Sequence, residues 1–278
     1  MLRKKIYASA IALVGAIALP ATTQAAPRPW EMGLQPAATP VMERIEDFHH
    51  LVLVIITAIC VFVLALLIWI MIRYNKRANP TPSKVSHNTL LEVIWTIVPV
   101  IILVVIAIPS FRLLYFEAEI PQPDLTIKAI GKQWYWTYEY PQNGDFQFDS
   151  LGLSDDAAAK ASEPRLLGVD NPIVVPVNKV VKVVTTGADV IHSWAVPAFG
   201  VKMDAIPGRL NATWFKAERE GVYYGECSEL CGARHAFMPI EVKVVSAAEF
   251  EKWVAAAKKK FAQNGDAAHM TRIAALTK

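Results

Sequence analysis

The chain of 278 residues is poor in cysteine and in charge. Its three Cys cannot build a disulfide framework. Charged residues make up 19%, below the ~25% usual for soluble domains. The hydrophobic fraction is 54% and the mean hydropathy +0.31, which excludes a disordered chain and an all-soluble cytosolic one. An excess of one charge sign is missing too. The formal +3 is too small to indicate nucleic acid, and Arg3, Lys4 and Lys5 supply all of it. Without those three, 25 bases face 25 acids. Long apolar runs are absent after residue 111, which excludes a polytopic transporter. No internal repeat is present.

What is there begins with a leader. Arg3-Lys4-Lys5 precedes a short apolar run, Ile6 to Leu19, and small residues up to Thr23-Gln24-Ala25. This pattern predicts a signal peptide over 1–25, with mature residues from Ala26 facing away from the cytoplasm. Leu51 to Ile72 is 22 residues without a charge, long enough to cross ~30 Å of hydrocarbon. A second uncharged stretch, Val93 to Phe111, contains Pro99 and Pro109. The predicted spans are 51–72 and 92–111. The loop 73–91 between them carries Arg73, Lys76, Arg77 and Lys84 and no acid, which places it in the cytoplasm. Residues 26–50 and everything from Arg112 onward then lie outside.

From Leu125 the period changes. Segments 125–130, 133–140, 165–169, 173–176, 180–186, 191–196, 210–216, 222–226 and 239–245 read as strands, being β-branched or aromatic and separated by Pro, Gly and Asn turns. Many short strands in 112–246 predict an all-β sandwich or barrel. Residues 154–162 read as a surface insertion, and 247–278 as a helix over 247–261 with a loose tail.

The densest chemistry is Cys227-Ser228-Glu229-Leu230-Cys231 followed by His235 and Met238, a C-x3-C-x3-H-x2-M pattern. His192 lies upstream in Ile191-His192-Ser193-Trp194. Soft sulfur with imidazole suits copper, and a weak thioether is a ligand seen in cupredoxin sites. A mononuclear blue site needs one Cys; two thiolates can bridge two ions. The spacing also admits a Cys227–Cys231 disulfide, structural zinc, or core roles for His and Met. Met238 has no use in the disulfide or zinc readings.

The loop Tyr223-Tyr224-Gly225-Glu226-Cys227-Ser228-Glu229-Leu230-Cys231-Gly232 resembles that of subunit II of the haem–copper cytochrome c oxidases. So do Gly131-Lys132-Gln133-Trp134-Tyr135-Trp136, Asp204-Ala205-Ile206-Pro207-Gly208-Arg209-Leu210, Ile94-Trp95-Thr96-Ile97-Val98-Pro99 and His192-Ser193-Trp194-Ala195-Val196-Pro197. The resemblance runs from about Gly33 to Val245, and the leader, insertion and tail suggest a bacterial member. It implies a two-helix membrane hairpin carrying a cupredoxin-like domain in the periplasm, anchored in the bacterial inner membrane as part of an aa3-type-like, proton-translocating oxidase. It implies a binuclear copper-A centre, with Cys227 and Cys231 bridging, His192 and His235 each on one ion, and Met238 and the Glu229 carbonyl as weak axial ligands. It implies cytochrome c as donor and haem a of subunit I as acceptor, oxygen being reduced in that other chain. The Glu229 carboxylate is expected on a magnesium ion shared with subunit I, whose remaining ligands the partner must supply.

Further roles follow from the same resemblance. Trp134 matches the exposed tryptophan where electrons come in, although alternating aromatics in a strand are usually packing residues. Tyr135 is expected as a docking contact. Residues 117–189 hold eleven acids against six bases, a field that would steer a basic cytochrome c. Glu139, Asp145, Asp149 and Asp189 are the docking candidates; Ala188 stands where some relatives place an acid. Asp204 is a candidate to orient an imidazole. Glu92 opens the second span, either as an acid favouring a helix N-terminus or as the mouth of a proton path in subunit I. Cys60 and Thr57 read as helix-packing residues. Three rivals are a quinol oxidase subunit, which loses copper-A, a periplasmic copper-delivery protein, and a zinc or disulfide module. The intact ligand set opposes the first, Trp134 and Glu92 the second, and Met238 the third.

Overall fold

The fold is taken from a computed structural model, which describes residues 23–262. Of the leader predicted over 1–25 only Thr23–Ala25 is described, and the tail after Ala262 lies outside these residues. A short strand β1 (Thr23–Ala25) is followed by two long helices, α1 (Pro40–Arg73) and α2 (Thr89–Ala118). Thr39 caps α1 by accepting the Met42 N–H at 3.1 Å, with Pro40 in the first turn where its missing N–H costs nothing. Asn88 caps α2 in the same way. Both helices are long and apolar enough to cross a membrane. Their side chains from Leu53 to Ile72 and from Leu90 to Phe111 are largely exposed apolar groups, a surface that suits lipid or a partner helix.

Both helices overrun the predicted spans, α1 by eleven residues at its start and α2 by seven at its end. Those turns are anchored on the β domain. Val41 and Met42 are buried, and the Thr39 hydroxyl donates to the Phe199 carbonyl at 2.7 Å. Gly200, at φ +69°, leaves room for Met42 and Ile45 where a Cβ would collide with both. On α2, Trp214 Nε1 donates to the Glu117 carbonyl at 3.2 Å, and Arg44 of α1 lies over the Phe116 ring at 3.5 Å.

The β domain is a sandwich. One sheet has the order β4-β3-β2-β6-β9, from β2 (Leu125–Lys132), β3 (Tyr135–Tyr140), β4 (Phe146–Ser150), β6 (Val181–Gly187) and β9 (Asn211–Phe215). The other has the order β5-β11-β10-β7-β8, from β5 (Ile173–Pro176), β7 (His192–Val196), β8 (Val201–Ala205), β10 (Gly221–Cys227) and β11 (Pro239–Val245). Strand β1 pairs in parallel with the start of β10, the stretch that β7 leaves unpaired. Clean alternation on β2 and β6 puts Leu125, Ile127, Ala129, Val181 and Val183 inside. The middle is aromatic: Trp136, Tyr138, Tyr140, Trp194, Phe199, Phe215 and Tyr223 are almost wholly buried. The Tyr140 hydroxyl ties the two sheets by donating to the Val174 carbonyl and accepting the Val174 N–H.

Several sequence expectations are corrected. Residues 165–169 form turns with one isolated bridge, Gly152 to Val169, because the chain there wraps over the sheet without pairing along it. Strands β1, β4 and β8 fall outside the predicted set. The insertion contains a seven-residue helix, α3 (Asp155–Ala161), capped by Ser154 and fixed by buried Ala158. Helix α4 (Ala247–Ala262) packs Trp253 and Phe261 on Phe146 and Phe148, covering the apolar face of β4.

Candidate metal centre

Two loops and one strand end meet at one end of the sandwich. β7 starts at His192, and β10 ends at Cys227, cross-strand to Trp194. The chain from Ser228 then folds back so that Met238 reaches the start of β11; the Cys227 N–H donates to the Met238 carbonyl. This closes a ring of donors. Cys227 Sγ and Cys231 Sγ are 3.9 Å apart. His192 Nδ1 lies 3.9 Å from Cys227 Sγ, and His235 Nδ1 lies 3.6 Å from Cys231 Sγ. Met238 Sδ is 3.5 Å from Cys231 Sγ, and the Glu229 carbonyl is 3.4 Å from Cys227 Sγ. His192, Cys227, Cys231 and Met238 are buried, and His235 is half-buried. The Sγ atoms stand about twice a disulfide bond length apart, and each faces its own imidazole. Each sequence-predicted ligand is therefore in this cluster.

The electrostatics favour a metal. Burial resists ionisation of Cys227, yet contacts with His192, the Glu229 and Ser193 backbone and His235 outweigh it and hold the thiol down to about 7. Cys231 is pushed up to about 12 by burial and by the Cys227 thiolate beside it. Two thiolates side by side with no cation are costly, and a bound metal ion removes that cost.

His192 points Nδ1 inward and Nε2 outward, 2.8 Å from Asp189 Oδ1. Asp189 thus occupies the imidazole-orienting role expected of Asp204. The Asp204 carbonyl instead receives the Thr185 hydroxyl and the Asn211 amide, within the β8–β9 edge. Asp189 also accepts the Gln133 N–H, so its carboxylate is engaged in the site while remaining partly exposed. Trp134 is half-buried, its indole against Gly232 of the metal loop, rather than exposed above it. Tyr135 is 6% exposed, too little for a docking contact; Lys132 covers its ring. Glu139 is paired with Lys128 at 3.0 Å, and Asp149 accepts the Thr137 hydroxyl at 2.6 Å. Asp145 is exposed but sits past the far end of β3, about 20 Å from Trp134 at ~3.3 Å per residue. Glu92 lies in the first turn of α2, at the opposite end of the membrane helices from the metal loop. The Glu229 side chain is exposed at the rim. Sequence reasoning missed Gln133, Gly131 and Gly232; their only signal was their place inside quoted motifs.

A two-sheet, cupredoxin-like domain on a two-helix membrane anchor, with thiols, imidazoles and a thioether at one end, defines a membrane-tethered electron-transfer subunit. Residues 27–113 match the family profile described as "Cytochrome C oxidase subunit II, transmembrane domain", and residues 125–245 match "Cytochrome C oxidase subunit II, periplasmic domain". The chain is 54% identical over 240 residues to "Probable cytochrome c oxidase subunit 2" of Rickettsia bellii, covering 86% of this chain and 88% of the relative. It is 49% identical over 235 residues to the subunit 2 of Triticum aestivum, covering 82% and 90%. A crystal structure of the periplasmic domain of the Bradyrhizobium japonicum oxidase subunit II is 64% identical, covers 51% of this chain and 99% of that one, and gives a TM-score of 0.49. The chain belongs to the cytochrome c oxidase subunit II family. It is the electron-input subunit of a haem–copper oxidase, an oxidoreductase complex, and its C-terminal domain is periplasmic.

Proposed function

We propose that this chain accepts electrons from cytochrome c and passes them to haem a of subunit I, using a binuclear copper-A centre. Cys227 and Cys231 would bridge two copper ions, His192 and His235 would bind one each, and Met238 and the Glu229 carbonyl would be weak ligands. The copper pair would supply a one-electron carrier whose shared charge changes geometry little on reduction. The single observation that carries this reading is the paired arrangement of donors: two thiols 3.9 Å apart, each with its own imidazole Nδ1, and a thioether at 3.5 Å. Structural zinc would leave the Met238 sulfur without a purpose.

The rest of the reading follows from membership of the family. The Glu229 carboxylate, exposed at the rim, would bind magnesium with ligands from subunit I. Trp134 would be the point where electrons come in, and Glu139 and Asp149 would add to the field that steers cytochrome c. Glu92 would stand at the mouth of a proton path. The chain would be exported by its leader and reside in the bacterial inner membrane.

The test is electron paramagnetic resonance with copper quantitation on the full chain, purified in detergent, reduced and loaded with copper. Two coppers per chain sharing one electron support the proposal. A single-copper signal, or no bound copper, overturns it and leaves a quinol-type subunit or a copper carrier.

A further inference from the structure

Asp189 is partly exposed, yet each of its carboxylate oxygens is engaged within the site. Its Oδ1 faces His192 Nε2 at 2.8 Å and accepts the Val190 N–H at 2.7 Å. Its Oδ2 accepts the Gln133 N–H at 2.6 Å. The Gln133 side chain then donates from Nε2 to the Cys231 carbonyl at 2.8 Å. A closed circuit results, from Asp189 through Gln133 to Cys231 and back through Cys227 and His192. It joins three separate segments: the β2–β3 turn that carries Trp134, the loop before β7, and the metal loop. Two glycines let these segments touch. A Cβ at Gly131 would overlap the His192 side chain at 2.6 to 2.8 Å. A Cβ at Gly232, where φ is +123°, would press on Gln133 Nε2 and the Trp134 indole at 3.0 to 3.3 Å.

We infer that Asp189 and Gln133 are positioning residues that together clamp the Trp134 turn onto the metal loop and fix the tautomer of His192. A carboxylate only accepts hydrogen bonds, so Asp189 holds a proton on His192 Nε2, the ring position that leaves Nδ1 as the one available to a metal ion. Partners of this kind set ring orientation at metal sites. Gln133 performs the second half: its backbone is held by Asp189 and its side chain by the metal loop, so the next residue, Trp134, has a fixed seat. The consequence for copper rests on the copper reading above; the tautomer and the Trp134 seat are properties of this chain alone.

The test compares Asp189→Ala, Asp189→Asn and Gln133→Ala in the full chain in detergent. The metal-free chain is followed by nitrogen-15 histidine NMR and by fluorine-19 NMR of fluorotryptophan, with Trp134→Phe assigning the Trp134 line. Asp189→Ala is expected to lose the single Nε2–H tautomer of His192 and to shift the Trp134 line. Asp189→Asn keeps an acceptor for His192 but sets an amide against the Gln133 N–H, so it is expected to keep the tautomer and shift Trp134. Gln133→Ala is expected to do the same. On copper loading, Asp189→Ala is expected to retain copper about 10- to 100-fold less tightly. The inference is overturned if the tautomer and the Trp134 line survive in all three variants while only the salt dependence of electron uptake changes; Asp189 is then a docking acid. If copper does not bind even to the parent chain but both NMR signatures respond, the clamp stands and the copper reading falls.

Discussion

Gly131→Ala is the most searching perturbation of the site, because it adds one methyl at the back of a buried ligand. The ideal Cβ would stand 2.6 Å from His192 Cδ2, 2.7 Å from Cγ and 2.8 Å from Cβ, where ordinary contact begins at 3.4 Å. The imidazole would have to retreat by about 0.8 Å, the difference between contact and overlap, and it has nowhere to go. Asp189 holds Nε2, Cys227 Sγ stands 3.9 Å from Nδ1, and the Trp136 ring lies edge-on with its centroid 6.0 Å away. The backbone of β2 cannot move instead, since Gly131 is paired with Trp136 on one side and Gly187 on the other. Overpacking of this kind costs about 1–3 kcal/mol. For a folded unit of this size that lowers Tm by about 2–12 °C. Metal–ligand distances tolerate about 0.2 Å, so a displaced His192 also weakens copper retention. The assay is thermal unfolding of the metal-free chain by near-ultraviolet circular dichroism, followed by chelator competition on the copper-loaded chain. Gly33→Ala is the control, since nothing lies within 4 Å of its Cβ position. A Gly131→Ala chain that melts with the control and holds copper equally well would refute the reasoning.

Three further outcomes are expected. Tyr140→Phe removes a hydroxyl that serves both the N–H and the carbonyl of Val174, so the metal-free chain should lose about 1–3 kcal/mol, read from its Tm; a change under about 0.5 kcal/mol would show that water replaces the tie. In the metal-free reduced chain carrying Cys60→Ser, iodoacetamide should label Cys227 with a midpoint near pH 7, because only the thiolate reacts, and reactivity should vanish as pH falls below it. Cys231, held up to about 12, should stay unlabelled across pH 6–9; peptide mass mapping that finds Cys231 labelled first would contradict the assigned order. Trp134→Leu should slow electron uptake from cytochrome c in stopped-flow mixing while leaving copper content unchanged, and unaltered uptake would remove Trp134 from the path.

The sequence by itself determined the features whose signals are local. Both membrane helices are legible as uncharged runs, because hydrocarbon accepts little else. Five metal-site residues are legible because Cys, His and Met in fixed spacing have few other uses, and four of them lie within twelve consecutive residues; the Glu229 carbonyl comes only with the family resemblance. β4 was legible in principle: Asn143-Gly144 and then Phe-Gln-Phe-Asp carry a turn and a period of two. The edge strand β8 was not, since Lys202, Met203 and Asp204 are all partly or fully exposed and blur its alternation.

Tertiary structure alone decided which acid serves the site. Asp189, Asp149, Glu139 and Asp145 look alike in sequence, yet Asp189 holds a metal-site histidine while Asp145 stands at the far end of a hairpin. That difference comes from contacts to main-chain groups 56 and 98 residues apart, Gln133 with Asp189 and Gln133 with Cys231. A backbone N–H or carbonyl carries no side-chain signature, so only the folded path of the chain reveals which one is near. The same reason hides the helix extensions: the turns from Pro40 and up to Ala118 are polar enough to read as loops, and the groove at Gly200 and Trp214 makes them part of the domain.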